Sequence, residues 1–436
     1  MASNCAIYSD SMQQLVNNCR GEYDPCTDSC LTDYMSLEFF FNDHKKPPIV
    51  IIYKYIYPLL VLLTVVTSIF VFIILSRPHM QSATNNVLMF MSAADLGVAI
   101  VPFPFYFVYI TLGVYRNDSY FEEPMCFLAL YLADSLPPLF HSIAIWLTVL
   151  LAAQRCISIR YPVRTANWCT IRNVRICSAL IAAISLVFAL QRFVEMEDFH
   201  LLKWTEFDRK TNTTSEGRKC VFRHSKFVSA VGINVFFSFY FWCRVILFVT
   251  IPSLMLITLT GLLIHSINKA RRRRQRLTSD IRLRQPSRGT GCNPSPHHSS
   301  STNKMLVVIV VIFLVVNLPQ GIILALYTIS QVLPAFGASL RDEQISLATH
   351  LDNMLILATY PINFAIYCYM STQFRQTFVD LMSKVFLRQK SCKSDAVVTH
   401  RYSAGSVSYA VHKDSRDLSC EHKVLLPKRS DMSVFT

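Results

Sequence analysis

Seven separate stretches of predominantly apolar residues, near 49–76, 84–112, 126–158, 174–192, 231–268, 304–331 and 344–371, leave this chain few ways to fold. Each approaches or exceeds the roughly 20 helical residues needed to cross a bilayer core of about 30 Å at about 1.5 Å per residue. The fourth is the shortest. Their unbroken apolar character excludes a barrel, whose strands alternate with period two. A hydrophobic fraction of 52% against 16% charged residues rules out a secreted or cytosolic enzyme. The expected fold is an all-α membrane protein, a seven-transmembrane helix bundle. A short amphipathic eighth helix should follow, lying on the inner membrane surface with Phe374, Phe378, Leu381 and Met382 on one face beside Arg375 and Lys384.

The net charge of +14 would suit a nucleic-acid binder, but the cations sit where topology signals belong, so no nucleic-acid partner is expected. Arg77 follows the first span, Arg160, Arg164, Arg172 and Arg175 the third, and Lys269 with the four arginines at 271–274 the fifth. Those connections face the cytosol; the arginine run also suits anionic membrane lipids or a cytosolic partner. Residues 1–10 are polar and acidic where a signal peptide would be basic and then apolar, which leaves the first span as the insertion signal. The tail before that span carries Asp10, Glu22, Asp24, Asp28, Asp33, Glu38 and Asp43, and falls outside with Cys5, Cys19, Cys26 and Cys30. Disulfides survive there, and four cysteines allow three pairings. Asn117 and Asn212 begin N-x-S/T sequons in loops assigned to the same outer face, as glycosylation requires. The chain thus divides into an outer tail over 1–48, a membrane domain over 49–385 with a flexible cytosolic loop about 269–303, and a disordered cytoplasmic tail over 386–436. No enzyme constellation appears; His297 and His298 lack further ligands at metal spacing, and no cofactor is expected.

Ionisable groups inside spans are costly and point to function. Asp95 lies midway along the second span, Arg155 at the cytosolic end of the third, seven residues before Pro162, and Asn363 and Tyr367 near the inner end of the seventh. Asp95, with Asn363 as its expected partner, can bind Na⁺, take up a proton or hydrogen-bond across helices. Arg155 either reaches lipid phosphate or meets a partner protein.

Met91–Asp95, Gln154-Arg155 and Tyr360-Pro361-Ile362-Asn363-Phe364-Ala365-Ile366-Tyr367 resemble the motifs of the rhodopsin-like G-protein-coupled receptors, over roughly residues 49–385. Pro252, Phe313 with Pro319, and Ile145 fall in register with that family's fifth-, sixth- and third-helix positions. The wording of Leu136-Pro137-Pro138-Leu139-Phe140-His141, Ile145-Trp146-Leu147-Thr148 and Asn167-Trp168-Cys169-Thr170 is most similar to the sex-peptide or myoinhibitory-peptide and myosuppressin receptors and nematode FMRFamide-type receptors. The resemblance implies a cell-surface receptor for an amidated neuropeptide, coupled to a heterotrimeric G protein, most often inhibitory. Arg155, Pro162, Val163, Ile145, Pro252, Phe313, Asn363 and Tyr367 would carry activation and G-protein contact, with Val163 as an apolar plug. It further implies a Cys126–Cys220 disulfide and arrestin recruitment by tail Ser and Thr residues. Cys392 is a candidate for palmitoylation.

Departures from the pattern remove borrowed mechanisms. Gln154 replaces an acid and forbids a resting salt bridge to Arg155, Asn317 replaces a Trp, Thr260 a Tyr, and Ala144 the hydroxyl that would help Asp95 hold sodium. Cys126 and Arg155 are 29 residues apart, about one turn more than in most relatives, and Pro137-Pro138 is the place to absorb it as a kink or unwinding. Pro137 stands where amine receptors carry an Asp, which argues against a monoamine. An Arg-bearing peptide needs acids: Asp134 is the first candidate, with His141 nearby, then Glu195, Glu197, Asp198 and Glu206. The alternatives are a non-signalling decoy receptor and a transporter or channel; against the last, no inverted repeat is visible.

Overall fold

Helices are forced on an apolar chain in lipid because each backbone N–H and C=O must be satisfied within its own segment. The computed structural model describes residues 22–24, 29–31, 34–116, 122–208, 213–284, 297–332 and 342–394. Among the described residues, six helices are long and apolar enough to cross a membrane: Pro47–Leu75, Ala83–Thr111, Glu123–Arg160, Ile171–Glu195, Val235–Lys269 and Val307–Leu326. The seventh, Gln344–Tyr369, meets that measure together with the helix after it, which bends away by 96°. These are the seven spans read from hydropathy. The third span is central: it contacts the second, fourth, fifth and sixth, while the seventh closes the bundle onto the first.

The third span solves the length problem locally. Leu128–Ser135 is wound as a π-helix, and the α-helix resumes at Leu136. Wider turns take up extra residues without bending the chain out of the bundle. Pro137 and Pro138 then fall in the first turn of the α-helical part, where missing N–H donors are tolerated.

At one end of the bundle the chain makes a hairpin, β4 (Met196–Asp208) paired with β5 (Thr213–His224), and β3 (Tyr34–Ser36) joins its free edge with Tyr34 opposite Arg223. A smaller pair, β1 (Glu22–Asp24) with β2 (Ser29–Leu31), precedes it. Between β3 and the first span lies α1 (Glu38–Lys45), whose Phe41 packs into a cluster with Tyr53, Phe105, Tyr109, Cys126 and Met354. The region before the first span is thus built into the core at the hairpin end.

At the opposite end, α2 (Pro162–Trp168) follows the third span and α3 (Thr372–Ser394) the seventh. Phe374 is buried there, Phe378 meets Phe70 and Phe364, and Leu381 packs on the same cluster, so this apolar face is turned toward the bundle. The fifth helix runs on to Arg284 and the sixth begins at His297, so helix occupies more of the 269–303 stretch than hydropathy indicates. Arg and Lys are good helix formers, which accounts for the extension. By its contacts the chain divides into Met1–Met382 and Ser383–Thr436; of the second unit only the helix end through Ser394 is described.

Candidate functional site

Several of the polar residues inside the spans gather around one cavity. Asp95, His141, Ala144, Thr148, Phe313, Asn317, Tyr360 and Asn363 line a space of about 30 Å³, room for one or two waters. Asp95 and Asn363 share it without bonding to each other, which corrects the partnership expected from sequence. The small side chain of Ala144, among the lining residues, leaves space where a larger one would fill it. Asn317 Nδ2 donates to the Phe313 carbonyl at 2.8 Å, and among the described residues its Oδ1 and the Tyr360 hydroxyl have no hydrogen-bond partner. His141 Nε2 lies 3.1 Å from Gln320 Oε1, while His141 Nδ1 is unpartnered.

Toward the opposite end, Ile145, Pro252 and Tyr367 are buried, and Phe313 packs against Val149, Ala152, Leu256 and Val310. Arg155 has no ion pair among the described residues, as Gln154 beside it dictates; both amide atoms of Gln154 are buried and unpartnered. Pro162 opens α2, and Val163 next to it is 86% exposed, an apolar side chain with nothing covering it. Thr260 is buried, and its hydroxyl has no hydrogen-bond partner among the described residues.

The hairpin end is organised by the Cys126–Cys220 disulfide, which ties β5 to the start of the third span with Cα atoms 5.9 Å apart. The acids proposed for ligand contact do not converge. Glu195 is 1% exposed and accepts a hydrogen bond from Gln191 at 2.8 Å. Asp198 forms an ion pair with Arg223, and Glu197 is exposed at a bulge in β4. Asp134 lines a small hollow with Ala129 and Leu130, roofed by Leu37 and by Phe40 of α1. Glu206 lies in β4, with its side chain outside the described residues, as are Asn117, Asn212, Cys5, Cys19 and Cys26. Cys30 is disulfide-bonded.

A second polar group at this end was not singled out from the sequence. The Asp43 carboxylate of α1 accepts from His350 Nε2 at 2.9 Å, from Ser346 Oγ at 2.5 and 2.6 Å, and from Lys46 Nζ at 2.7 Å. In a neutral His350 the other ring nitrogen accepts from the Tyr53 hydroxyl at 2.9 Å, so a chain of bonds joins α1, the first span and the seventh. Burial pushes the Asp43 carboxyl up, but the bonds from His350, Lys46 and Ser346 and the charge at His350 outweigh it and hold it well below the usual carboxylate range. His44, 2% exposed, donates from Nδ1 to the Phe40 carbonyl and leaves Nε2 bare. Burial, then the charge at His350, lower its pKa to about 4. The only signal in the sequence was the run Phe39-Phe40-Phe41 ahead of Pro47-Pro48; the seventh-span partners lie some 300 positions away.

A closed seven-helix bundle, a disulfide-tied hairpin over one end, and an unpaired arginine with a bare apolar side chain at the other define a serpentine receptor. Residues 55–385 match the family described as the serpentine type seven-transmembrane G-protein-coupled chemoreceptor Srw, and the chain belongs to it. It is 36% identical over 374 residues to the sex peptide receptor-related protein 2 of Caenorhabditis elegans, covering 85% of this chain and 80% of that one. It is 29% identical over 349 residues to the sex peptide receptor of Drosophila melanogaster, covering 79% and 74%. A Drosophila FMRFamide receptor is 23% identical over 334 residues, covering 74% of this chain and 52% of its own. The chain is therefore a multi-pass membrane receptor and not an enzyme.

Proposed function

We propose that this receptor sits in the plasma membrane with the hairpin end outside and answers an amidated neuropeptide of the RF-amide, myosuppressin or myoinhibitory type. The observation that carries the signalling half is an Arg155 with no ion pair among the described residues and, eight residues on, Val163 at 86% exposure, both at the end opposite the hairpin. A guanidinium so placed offers planar donors to the carbonyls of an inserted partner segment once the sixth helix moves outward. The names of the relatives, sex peptide receptor and FMRFamide receptor, support a peptide ligand, and their kind supports a G protein, which we assign to the inhibitory class. Asp134, under Leu37 and Phe40, is the acid assigned to a cationic group of that peptide. Arrestin and anionic lipid are further partners assigned to the tail and to the arginines at 271–274.

The test is G-protein dissociation in cells expressing the full chain, scanned against amidated RF-amide, myosuppressin-like and Trp-amide peptides with Arg155→Ala in parallel. A peptide response abolished by Arg155→Ala at equal surface expression is the expected result. Silence of the wild type across the panel, with the chain at the surface, would favour the decoy reading that Gln154, Asn317 and Thr260 raise. Asp134→Arg at normal surface expression should lower peptide potency about tenfold or more; unchanged potency removes Asp134 from the site.

A further inference from the structure

The fifth span carries a cation that neither the motifs nor the acidic candidates account for. Arg244 is the twelfth residue after Gly232, about 18 Å along a helix and too deep for a side chain to snorkel back to the hairpin end. Val235, Phe239 and Trp242 form the exposed, lipid-facing side of this helix, Phe239 at 71%. At about 100° per residue, Arg244 lies roughly 140–200° from each of them, on the side turned to the bundle. It is half-buried there, on a helical segment that packs against the sixth helix. No ion pair or hydrogen bond holds its guanidinium among the described residues. A guanidinium inside a membrane bundle needs acceptors, and its planar fork is built for carbonyl or carboxylate oxygens.

Two features say what would supply them. Phe237 and Phe241, seven and three residues earlier on the same face, stack at 6.2 Å, and Phe237 meets His224 of β5 at 5.7 Å, so an aromatic wall leads from the hairpin to the cation. Gln320 of the sixth helix lies 3.1 Å from the His141 ring, and Asn317, one turn earlier on that helix, is nine-tenths buried with no hydrogen-bond partner for its oxygen among the described residues. We propose that Arg244 is the floor of the ligand site and receives the oxygen-bearing end group of the ligand's final residue, an aromatic or apolar one, with His141 and Gln320 orienting it. A terminal carboxamide would also give an N–H to the Asn317 oxygen; a terminal carboxylate would rely on the arginine. The inference rests on the reading of this chain as a receptor whose ligand arrives at the hairpin end.

The experiment follows thermal unfolding of the purified full chain with three small probes at roughly 20 mM: N-acetylphenylalaninamide, N-acetylphenylalanine, and N-acetylphenethylamine, which lacks the terminal group. The amide or the acid should raise the wild-type midpoint by about 2 °C or more while the truncated probe does not, and Arg244→Gln should lose that shift. Stabilisation by the amide alone assigns the end group as carboxamide, and by the acid alone as carboxylate. Equal effects of all three probes, no effect of any, or a shift that survives Arg244→Gln would overturn the proposal. If Arg244→Gln does not fold, Arg244→Lys, which keeps the charge but not the fork, should show a reduced shift, and an undiminished one counts against it. Peptide-driven G-protein dissociation of the wild type is read separately: activity there with no probe discrimination sinks only Arg244, and the converse sinks only the peptide reading.

Discussion

Asp43→Asn is the substitution whose consequence the geometry fixes most tightly. The carboxylate holds α1 to the seventh span through His350 and Ser346, whereas Lys46 lies three residues away on its own chain and adds little, as half-exposed pairs do. Asparagine keeps the shape but removes the charge and one acceptor: the oxygen that remains can still serve His350 and Ser346, both of which reach Oδ2, but without charge assistance, and the new N–H displaces Lys46 from the other position. Charge-assisted hydrogen bonds contribute about 1.5–3 kcal/mol each and contacting partners couple by about 0.5–3 kcal/mol, so a net loss of about 1–3 kcal/mol is expected. That is a roughly 5- to 150-fold rise in local opening, and α1 can open without the bundle unfolding. Amide hydrogen exchange of peptides covering 37–46 in the purified receptor reads it directly. His350→Phe should have a similar effect, and the double variant should fall well short of the sum. A change under about twofold, or full additivity, would refute the idea that this carboxylate is what fastens α1.

Acidification should loosen the same helix. His44 is buried neutral, with a pKa of about 4 in place and about 6.5 when released, so the released form takes up a proton between those values and opening is favoured by up to about tenfold per pH unit as pH falls from 6.5 toward 4. Over that interval Asp43 stays ionised, since its depressed carboxyl loses its contribution only as pH falls below the ordinary carboxylate range. His44→Phe should therefore flatten the dependence of exchange protection on pH; a dependence as steep as in the wild type assigns it elsewhere. Cys126→Ala or Cys220→Ala removes a crosslink spanning 94 residues and should cost about 2–5 kcal/mol, read as protease cutting within β4–β5 and a lower unfolding midpoint. Gly97 faces Phe140 so closely that a Cβ would overlap the ring, so Gly97→Ala should destabilise the second and third spans by about 1–3 kcal/mol, and Phe140→Leu in the same chain should restore part of it.

The seven spans were legible because hydropathy over some 20 residues is a strong and local signal; their observed ends fall within a few residues of those read from sequence. The Cys126–Cys220 bond, implied by resemblance, is formed. What sequence could not give was the contribution of long-range geometry. Asp43 read as one acid in a solvated tail because His350 and Ser346 are some 300 positions away. Arg244 was passed over inside an aromatic run, where only the helical phase set by its exposed neighbours shows which way it faces. Asp95 and Asn363 occupy matching depths, but whether they touch depends on the space between the spans. The surplus length of the third span was visible as a count, and its π-helical form was not, since the extra residues Leu128–Ser135 carry no composition that marks a wider turn.

The edge strand β3 also sets an order of events during synthesis. Tyr34–Ser36 leave the ribosome roughly 185 residues before Val221–Arg223, their partners on β5. At about 5–20 residues per second the early segment waits roughly 10–40 s with its backbone unpaired by β5. Its Asp43 waits longer still for His350. Quality control of this receptor therefore has a natural last checkpoint: Tyr34–Ser36 and Asp43 are made long before the partners that fix their places.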